Sequence, residues 1–452
     1  MPGQLLTIAR NCFLESIRQP IYFLIVMISG VCQLLLTWGT NFSMGKSTET
    51  GEVNYDNKLL LDLGLGTIFV CGTVLAAFVA TAVISEEIER KTVLTVVSKP
   101  VSRPTLVIGK YLGVSLSLLV GMITMAIFML MGIRHGVMST AADKLDWVVI
   151  TFSIGTVFLC LVLSAAANYL YSWSFSQAAV LSLAPAMIIS YLFVLVLSPK
   201  WEWQAISTDF KPQISMACAA LTLAVLMLSA VAVAASTRLG QVMTIVVTGG
   251  VFLGGLLSNY FIGSKAWTNS YVGRVLNVTP EHPAFEKFTS LGDTLIIELE
   301  NPPTALLSPG TPVYWGATPN GMNLQTSHYK PLDGDFATIS NLNAPEIAPA
   351  IAVVSSEGKK ANIQQIGRAP VKVNRPPREG DYLFVKPTRL NIAAAGVWSI
   401  LPNLHFYWLL DAITQNSYIP IGHLWLIAVY AVLQICGVLC IAIALFQTRD
   451  VG

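Results

Sequence analysis

Residues 85–110 read S-E-E-I-E-R-K-T-V-L-T-V-V-S-K-P-V-S-R-P-T-L-V-I-G-K and separate two long apolar runs, residues 63–84 and 105–132. Charge is scarce elsewhere in the chain, yet this stretch concentrates it, with the acids first and the bases after. Its charged side chains are Glu86, Glu87, Glu89, Arg90, Lys91, Lys99, Arg103 and Lys110. The pattern predicts a charged loop held against a membrane between two spans.

Within this stretch the residue types predict a short helix of its own. Ser85 can cap its start, and the helix dipole favours the two glutamates that follow in the first turn. An apolar stripe at helical spacing comes next, made of Val93, Leu94 and Val97. Proline disfavours a helical residue before it, so Lys99-Pro100 ends this helix. Ser102-Arg103-Pro104 then begins the next one, with proline tolerated in its first turn.

Composition indicates a polytopic membrane protein. Hydrophobic residues fill 54% of the 452 positions and charged residues only 12%, whereas soluble domains carry about 25% charged residues. Eight apolar runs approach the ~20 residues that a membrane-spanning helix needs. They are residues 21–38, 63–84, 105–132, 147–170, 177–197, 214–235, 242–262 and 421–446. The net charge of +2 does not suggest nucleic acid, and the seven cysteines form neither a disulfide framework nor a zinc pattern.

The apolar runs contain few ionisable residues, which argues against a proton- or sodium-driven carrier. On the seventh run, four glycines form a small-residue face whose default role is close helix packing. They are Gly249, Gly250, Gly254 and Gly255.

The first twenty residues predict a helix that lies in the membrane interface. One side of this helix is apolar, with Leu5, Ala9, Phe13 and Ile17. The other side is polar, with Arg10, Asn11, Glu15 and Arg18. Gln19-Pro20 then turns the chain into the first span.

Basic residues predict the orientation of the chain. Eight spans leave both termini on one side, and the side richer in Lys and Arg is normally the cytoplasm. With the N-terminus inside, the inner segments hold more basic residues than the short outer loops, and the dense cluster at 90–110 adds to this bias. Both termini and residues 85–104 are therefore predicted to be cytoplasmic.

The charged loop resembles the cytoplasmic coupling loop of the type-2, exporter-like permeases of ATP-binding-cassette (ABC) transporters. The matching segments are E-E-I-E-R-K-T at 86–92, S-K-P-V-S-R at 98–103, and Gly109-Lys110. Many members have glycine before the threonine, where this chain has Lys91. The segment T-I-A-R-N-C-F-L-E-S-I-R-Q-P at 7–20 is similar to the elbow helix of these permeases. The ending A-L-F-Q-T-R-D-V-G resembles their usual close.

This resemblance implies a fold and a set of partners. The fold would be an all-α polytopic membrane bundle of about eight spans, or of a six-span core as is usual in the family, carrying an extracytoplasmic, mainly β insert. The chain would hold no cofactor, and ATP and Mg²⁺ would bind a separate ABC ATPase subunit. A second permease copy or a homologous permease, together with membrane lipid, would complete the assembly in the cell (inner) membrane.

The resemblance also implies two groups of site residues. Those that would couple the chain to the ATPase are Glu86, Glu87, Arg90, Lys91, Thr92, Ser98, Lys99, Pro100 and Arg103. Those of the elbow helix are Arg10, Phe13, Glu15 and Arg18. The alternative interpretation of the loop is a solvated connector that only fixes topology. The sequence predicts no catalytic and no metal-ligating residue.

The segment 263–402 is polar, rich in proline and outside the resemblance. Its β-type runs, separated by Gly, Pro and Asp, predict short strands at 294–299, 312–315, 336–339, 350–355, 371–374 and 382–385. Glu357-Gly358 predicts a hairpin turn, and Pro283–Ser290 a short helix. The chain thus divides into an elbow helix at 1–20, a transmembrane domain at 21–262, this insert, and an interfacial helix with the last span at 403–452.

The function predicted from these observations is that of a permease subunit which exports a substrate and is not itself an enzyme. Residues 39–47, G-T-N-F-S-M-G-K-S, have one residue too many between their glycines for a phosphate-binding loop, so ATP hydrolysis is assigned to the separate subunit. Two alternatives stay open. The chain could transmit force to an extracytoplasmic protein without moving a substrate, or it could be a membrane-embedded enzyme.

Overall fold

The computed structural model of the chain describes residues 2–40, 51–89, 102–138, 145–285, 287–330, 346–414 and 419–447. They form two compact units: Met1–Leu256 with Leu404–Gly452, and Leu257–Asn403. The first unit is helical, and the second contains the β-sheets. The predicted fold class, a polytopic helical bundle with a mainly β insert, is confirmed.

Eight helices of the described residues are long and apolar enough to cross a membrane, in agreement with the eight predicted runs. The first-unit helices are α1 (Pro2–Arg18), α2 (Pro20–Gly39), α3 (Gly51–Glu89), α4 (Arg103–His135), α5 (Trp147–Tyr171), α6 (Phe175–Val196), α7 (Pro212–Ser236) and α8 (Gln241–Ser258). A π-helical turn, Asn259–Gly263, and a last α-helical turn, Ser264–Ala266, extend α8 into the second unit. After the insert come α10 (Leu410–Thr414) and the last span, α11 (Ile421–Gln447), while α9 (Ile392–Ile400) belongs to the insert.

The central helix of the bundle is α4. It begins where predicted, with proline in its first turn. Ser102 caps it, since the Ser102 hydroxyl accepts the Thr105 N–H at 3.4 Å. At 33 residues it is about 50 Å long, longer than the ~30 Å hydrocarbon core of a bilayer. It packs against α1, α2, α3, α5, α6, α7 and α11. A displacement at its N-terminus would therefore reach most of the bundle.

A buried ionic cluster closes the other end of α4. The Arg134 Nε lies 3.5 Å from the Asp146 Oδ2 and 3.3 Å from the Asp209 Oδ2, and the Arg134 Nη2 donates to the Leu197 carbonyl. Asp146 also caps α5, because its Oδ1 accepts the Val148 N–H at 3.0 Å. The cluster thus joins the end of α4, the start of α5 and the segment between α6 and α7. Charge-assisted hydrogen bonds from Arg134 to the Leu197 carbonyl and from the Val148 N–H to Asp146 add to the ion pairs and offset part of the cost of burying these charges.

The second unit is built on an antiparallel six-stranded sheet in the order β4-β7-β2-β3-β6-β5. A separate two-stranded ribbon pairs β1 with β8. The strands are β1 (Trp267–Thr268), β2 (Tyr271–Pro280), β3 (Thr294–Leu299), β4 (Tyr314–Gly316), β5 (Ala350–Glu357), β6 (Lys360–Ile366), β7 (Tyr382–Phe384) and β8 (Arg389–Leu390). The two ends of the unit lie side by side, since the Asn403 Nδ2 donates to the Asn259 Oδ1 at 2.7 Å.

Several strands agree with the sequence prediction. The predicted strand at 294–299 is β3, and β5 and β7 begin at the predicted residues. The predicted hairpin joins β5 to β6, with Gly358 at φ 58°, a left-handed conformation that favours glycine. The run predicted at 312–315 is displaced, because β4 spans Tyr314–Gly316. The strand predicted at 336–339 lies outside the described residues.

Other predictions for the insert were wrong. Residues 371–374 form only an isolated bridge between Val373 and Thr326, and the predicted Pro283–Ser290 helix is a single 3₁₀ turn at Pro283–Phe285. The sequence prediction also missed β2, the longest strand. Register shifts near Val275 and Tyr271 interrupt its alternation, so no clean period of two appears in the sequence. The predicted interfacial helix at 403–414 is broken into a 3₁₀ turn, Leu404–Tyr407, followed by α10.

The second unit has a hydrophobic core of its own. Trp315, Phe288 and Phe384 are among its fully buried side chains. Tyr329 adds a buried polar link, since its hydroxyl donates to the Ile351 carbonyl at 3.0 Å and accepts the Val313 N–H at 3.0 Å. Burial raises the pKa of Tyr329 well above its usual value, so the phenol stays neutral and keeps its donor. The unit therefore meets the basic requirement of a domain, a separate core.

Candidate coupling site

Helix α1 lies in close contact with the first half of α4. A Cβ added at Gly109 would be 2.8 Å from the Ile8 Cγ2, and one added at Gly113 would be 2.5 Å from the Ala9 carbonyl oxygen. The two backbones can approach this closely only because α4 has glycine at both positions. A weak hydrogen bond adds to the contact, since the Cys12 Sγ donates to the carbonyl oxygen of Lys110 at 3.2 Å.

The predicted elbow residues surround this contact without forming it. Arg10 and Glu15 are exposed, and Phe13 is half-buried against the core of the bundle. Arg18 closes the helix, where its Nε donates to the Gln177 Oε1 at 2.7 Å. The contact with α4 comes from the buried side of α1, on which lie Ala9, Cys12, Ser16 and Ile17.

Arg103, at the first position of α4, binds the end of the last span. Its Nη1 donates to the carbonyl oxygens of Phe446 at 3.1 Å and Gln447 at 2.7 Å, and its guanidinium lies 5.9 Å from the centre of the Phe446 ring. Arg238, after α7, donates to the Leu445 carbonyl at 2.9 Å. The last carbonyls of a helix have no partner within the helix and carry partial negative charge, so two arginines satisfy and stabilise this end of α11.

The start of the predicted coupling loop belongs to α3. This helix continues to Glu89, so the prediction that Ser85 caps a new helix with Glu86 and Glu87 in its first turn was wrong. The reason is local: no glycine or proline interrupts the chain there, and glutamate is a good helix former. Glu86 and Glu87 are thus in the last turns of α3. The remaining loop residues of the predicted site, Arg90, Lys91, Thr92, Ser98, Lys99 and Pro100, lie outside the described residues.

Residues 6–198 match the family model described as ABC-2 family transporter protein. Over these residues the chain is similar to the ABC-2 transporter family. No curated protein and no solved structure matches the chain. The ABC-2 region covers less than half of the 452 residues. It includes nearly all of α1, all of α2 to α6, and the loop between α3 and α4, while the insert, α7, α8 and α11 lie beyond it.

Within the ABC-2 region, the glycine contact between α1 and α4 was missed by sequence reasoning, although a signal was present. Gly109 and Gly113 have the small-xxx-small spacing of closely packed membrane helices. The glycine face predicted on α8 behaves differently. A Cβ added at Gly249, Gly250 or Gly254 would meet nothing within 4 Å in the described part of the chain. Spacing alone thus identifies a possible contact, while the neighbouring helix decides whether one forms.

The described residues bring no metal site together, since they contain no group of three or more His, Cys, Asp or Glu side chains arranged around a common point. What the described residues of the site do show is a set of contacts between helices. The α3–α4 loop leads directly into α4, and α4 contacts α1 along one side and binds the end of α11 through Arg103.

Proposed function

We propose that the chain is the membrane subunit of an ABC exporter that a separate ATPase subunit drives through the loop between α3 and α4. The observation that supports this best is the position of α4. It follows the loop directly and packs against seven other helices of the bundle, α1 and α11 among them. A push on the loop would be passed along α4 to the helices that surround a transport path.

In this mechanism ATP and Mg²⁺ act on the ATPase subunits alone. Closure of two ATPase subunits moves the α3–α4 loop and α1 of each permease, and two permease copies, identical or homologous, change the opening between them. The Gly109 and Gly113 contact makes α1 and α4 move together. The Arg103 contact carries the same displacement to α11.

In the proposed orientation the protein lies in the cell (inner) membrane. Both termini and the α3–α4 loop are then cytoplasmic. The support for this orientation is the excess of basic residues around positions 90–110. The insert, which follows the seventh span, is then extracytoplasmic.

The first prediction tests the coupling role of the predicted loop at 85–104, whose first residues, Glu86 and Glu87 among them, lie in the last turns of α3. Glu86→Lys with Glu87→Lys should lower both co-purification of the ATPase subunit and its stimulation by the permease. A charge pair broken at a desolvated contact costs about 2–5 kcal/mol, and an exposed rim charge far less. Glu346→Lys with Glu357→Lys is the matched control, because it makes the same charge change at exposed positions of the insert. If the Glu86 and Glu87 variant keeps wild-type stimulation and co-purification, the loop is only a connector.

The second candidate function is mechanotransmission to an extracytoplasmic protein. The observation that favours it is the insert, which has its own core and is much larger than a connecting loop. Substrate movement into vesicles supports export. Mechanotransmission is supported if the protein captures or releases a partner protein in an ATP-dependent way and moves no substrate into vesicles. This capture or release should be lost when the insert is altered.

A further inference from the structure

Within the second unit, a short ribbon follows directly on the helical turns at 259–266 and precedes the apolar helix α9. The candidate span that contains α8 runs from Gln241 to Ala266, and β1 begins at the next residue, Trp267. Its partner β8 ends at Leu390, and α9 begins two residues later. Trp267 pairs with Leu390, and Thr268 with Arg389. The ribbon therefore lies next to the point where the seventh span ends.

Helix α9 presents apolar side chains to the surroundings. Its sequence I-A-A-A-G-V-W-S-I has no charge, and the exposed fractions are 83% for Ile392, 54% for Val397 and 77% for Ile400. It packs against the last turns of the extended α8, with the Trp398 ring 3.5 Å from where a Cβ of Gly263 would be. An uncharged, exposed helix beside the end of a span suits the surface of a bilayer.

Beside this helix the ribbon lines a cavity of about 450 Å³. Its lining includes two exposed bases, Lys386 and Arg389, and no acidic residue. The described residues place no carboxylate in a salt bridge with either base. Trp267 also lines the cavity, and its ring N–H is buried without an acceptor among the described residues. The cavity therefore offers positive charge and a buried N–H donor that has no acceptor in the described part of the chain.

We propose that this cavity binds the phosphate-bearing head group of an anionic membrane phospholipid, with α9 lying in the same leaflet. Lys and Arg side chains are the usual partners of phosphate oxygens, and basic residues at a membrane surface attract anionic lipids. The apolar helix supplies the second half of the interaction, because its exposed side chains meet the acyl region beneath the head groups. A soluble anion would use the bases but not the helix.

The test uses the full-length protein in detergent micelles, titrated with phosphatidylglycerol and followed by native mass spectrometry. Lys386→Gln with Arg389→Gln should weaken phosphatidylglycerol binding by on the order of tenfold. Trp267→Phe keeps an aromatic side chain but removes the ring N–H, and should weaken binding about two- to fivefold. Arg368→Gln with Lys372→Gln is the matched control, since both residues are exposed bases of the insert that do not line the cavity. It should bind like the wild type.

Three outcomes would overturn the proposal. Phosphatidylcholine could bind the wild type as tightly as phosphatidylglycerol, the control variant could lose as much affinity as the cavity variant, or millimolar inorganic phosphate could displace the lipid. A photoreactive phosphatidylglycerol, labelled in its head group, tests the wild type without any substitution. Crosslinks should appear in peptides that contain residues 264–270 and 386–390, and crosslinks confined to other peptides would also contradict the site.

Discussion

Gly113 lies where α1 crosses α4, and the space of its missing side chain is taken by the Ala9 carbonyl and the Cys12 side chain. Gly155 is a glycine of α5, a helix of similar apolarity, but none of the described residues lies within 4 Å of where its Cβ would be. Two glycines in two spans therefore have opposite consequences. At one the absent methyl permits a helix contact, and at the other it only lowers helix propensity.

Replacement of this glycine tests the contact. Gly113→Ala should destabilise the protein by about 1–3 kcal/mol, because a backbone atom at 2.5 Å cannot move aside as a flexible side chain would. Gly155→Ala is the control and should be neutral or slightly stabilising. The measurement is the thermal unfolding midpoint of the detergent-purified variants. Equal midpoints for Gly113→Ala and the wild type would show that α1 is not held closely against α4.

At the scale of the element, the sequence predicted which helices exist better than where they end. All eight spans follow from apolar runs near the length of a bilayer, a signal that depends on many residues at once. The end of α3 depends on a few residues, and Ser85 is as compatible with a helix interior as with a cap. Arg238 shows a further limit: its contact with the Leu445 carbonyl joins residues 207 positions apart, and no local pattern records it.

The end of α11 gives a prediction at this scale. Arg103→Gln should remove the charged donor to two carbonyls and cost about 1–2 kcal/mol, since hydrogen bonds to charged groups are stronger than neutral ones. Hydrogen exchange in residues 443–447 should become faster, as measured by mass spectrometry, and the unfolding midpoint should fall. Arg10→Gln is the control, because Arg10 is an exposed arginine of α1. Unchanged exchange at 443–447 would contradict the capping role of Arg103.

At the scale of the whole molecule, the sequence predicted the helical unit better than it predicted the insert. The helical unit was predictable because membrane spans and the loop at 85–110 both carry strong compositional signals. The insert was predicted only in part, since the pairing of β2 has two register shifts and the ribbon of β1 and β8 has only two residues in each strand. Strand pairing over such distances depends on tertiary contacts that local propensity does not report.

The orientation of the molecule can be tested with introduced cysteines. Ser327→Cys and Ser355→Cys, both at exposed positions of the insert, should react with an impermeant thiol reagent in intact cells that allow it past any outer membrane. Arg10→Cys is the control for the opposite side and should react only after lysis. Wild-type protein sets the background, because Cys436 and Cys440 are exposed in α11. Labelling of the insert only after lysis would reverse the proposed topology.

The ends of the insert, joined by β1 with β8 and by the Asn259–Asn403 hydrogen bond, also bear on how such a chain can change over evolution. A module whose entry and exit are neighbours can be gained, lost or exchanged at a single loop, and the helices on either side keep their partners. The helical unit and the insert are then free to diverge at different rates. One insertion event is enough to add a module of this kind, and the same junction offers a place to graft a different domain.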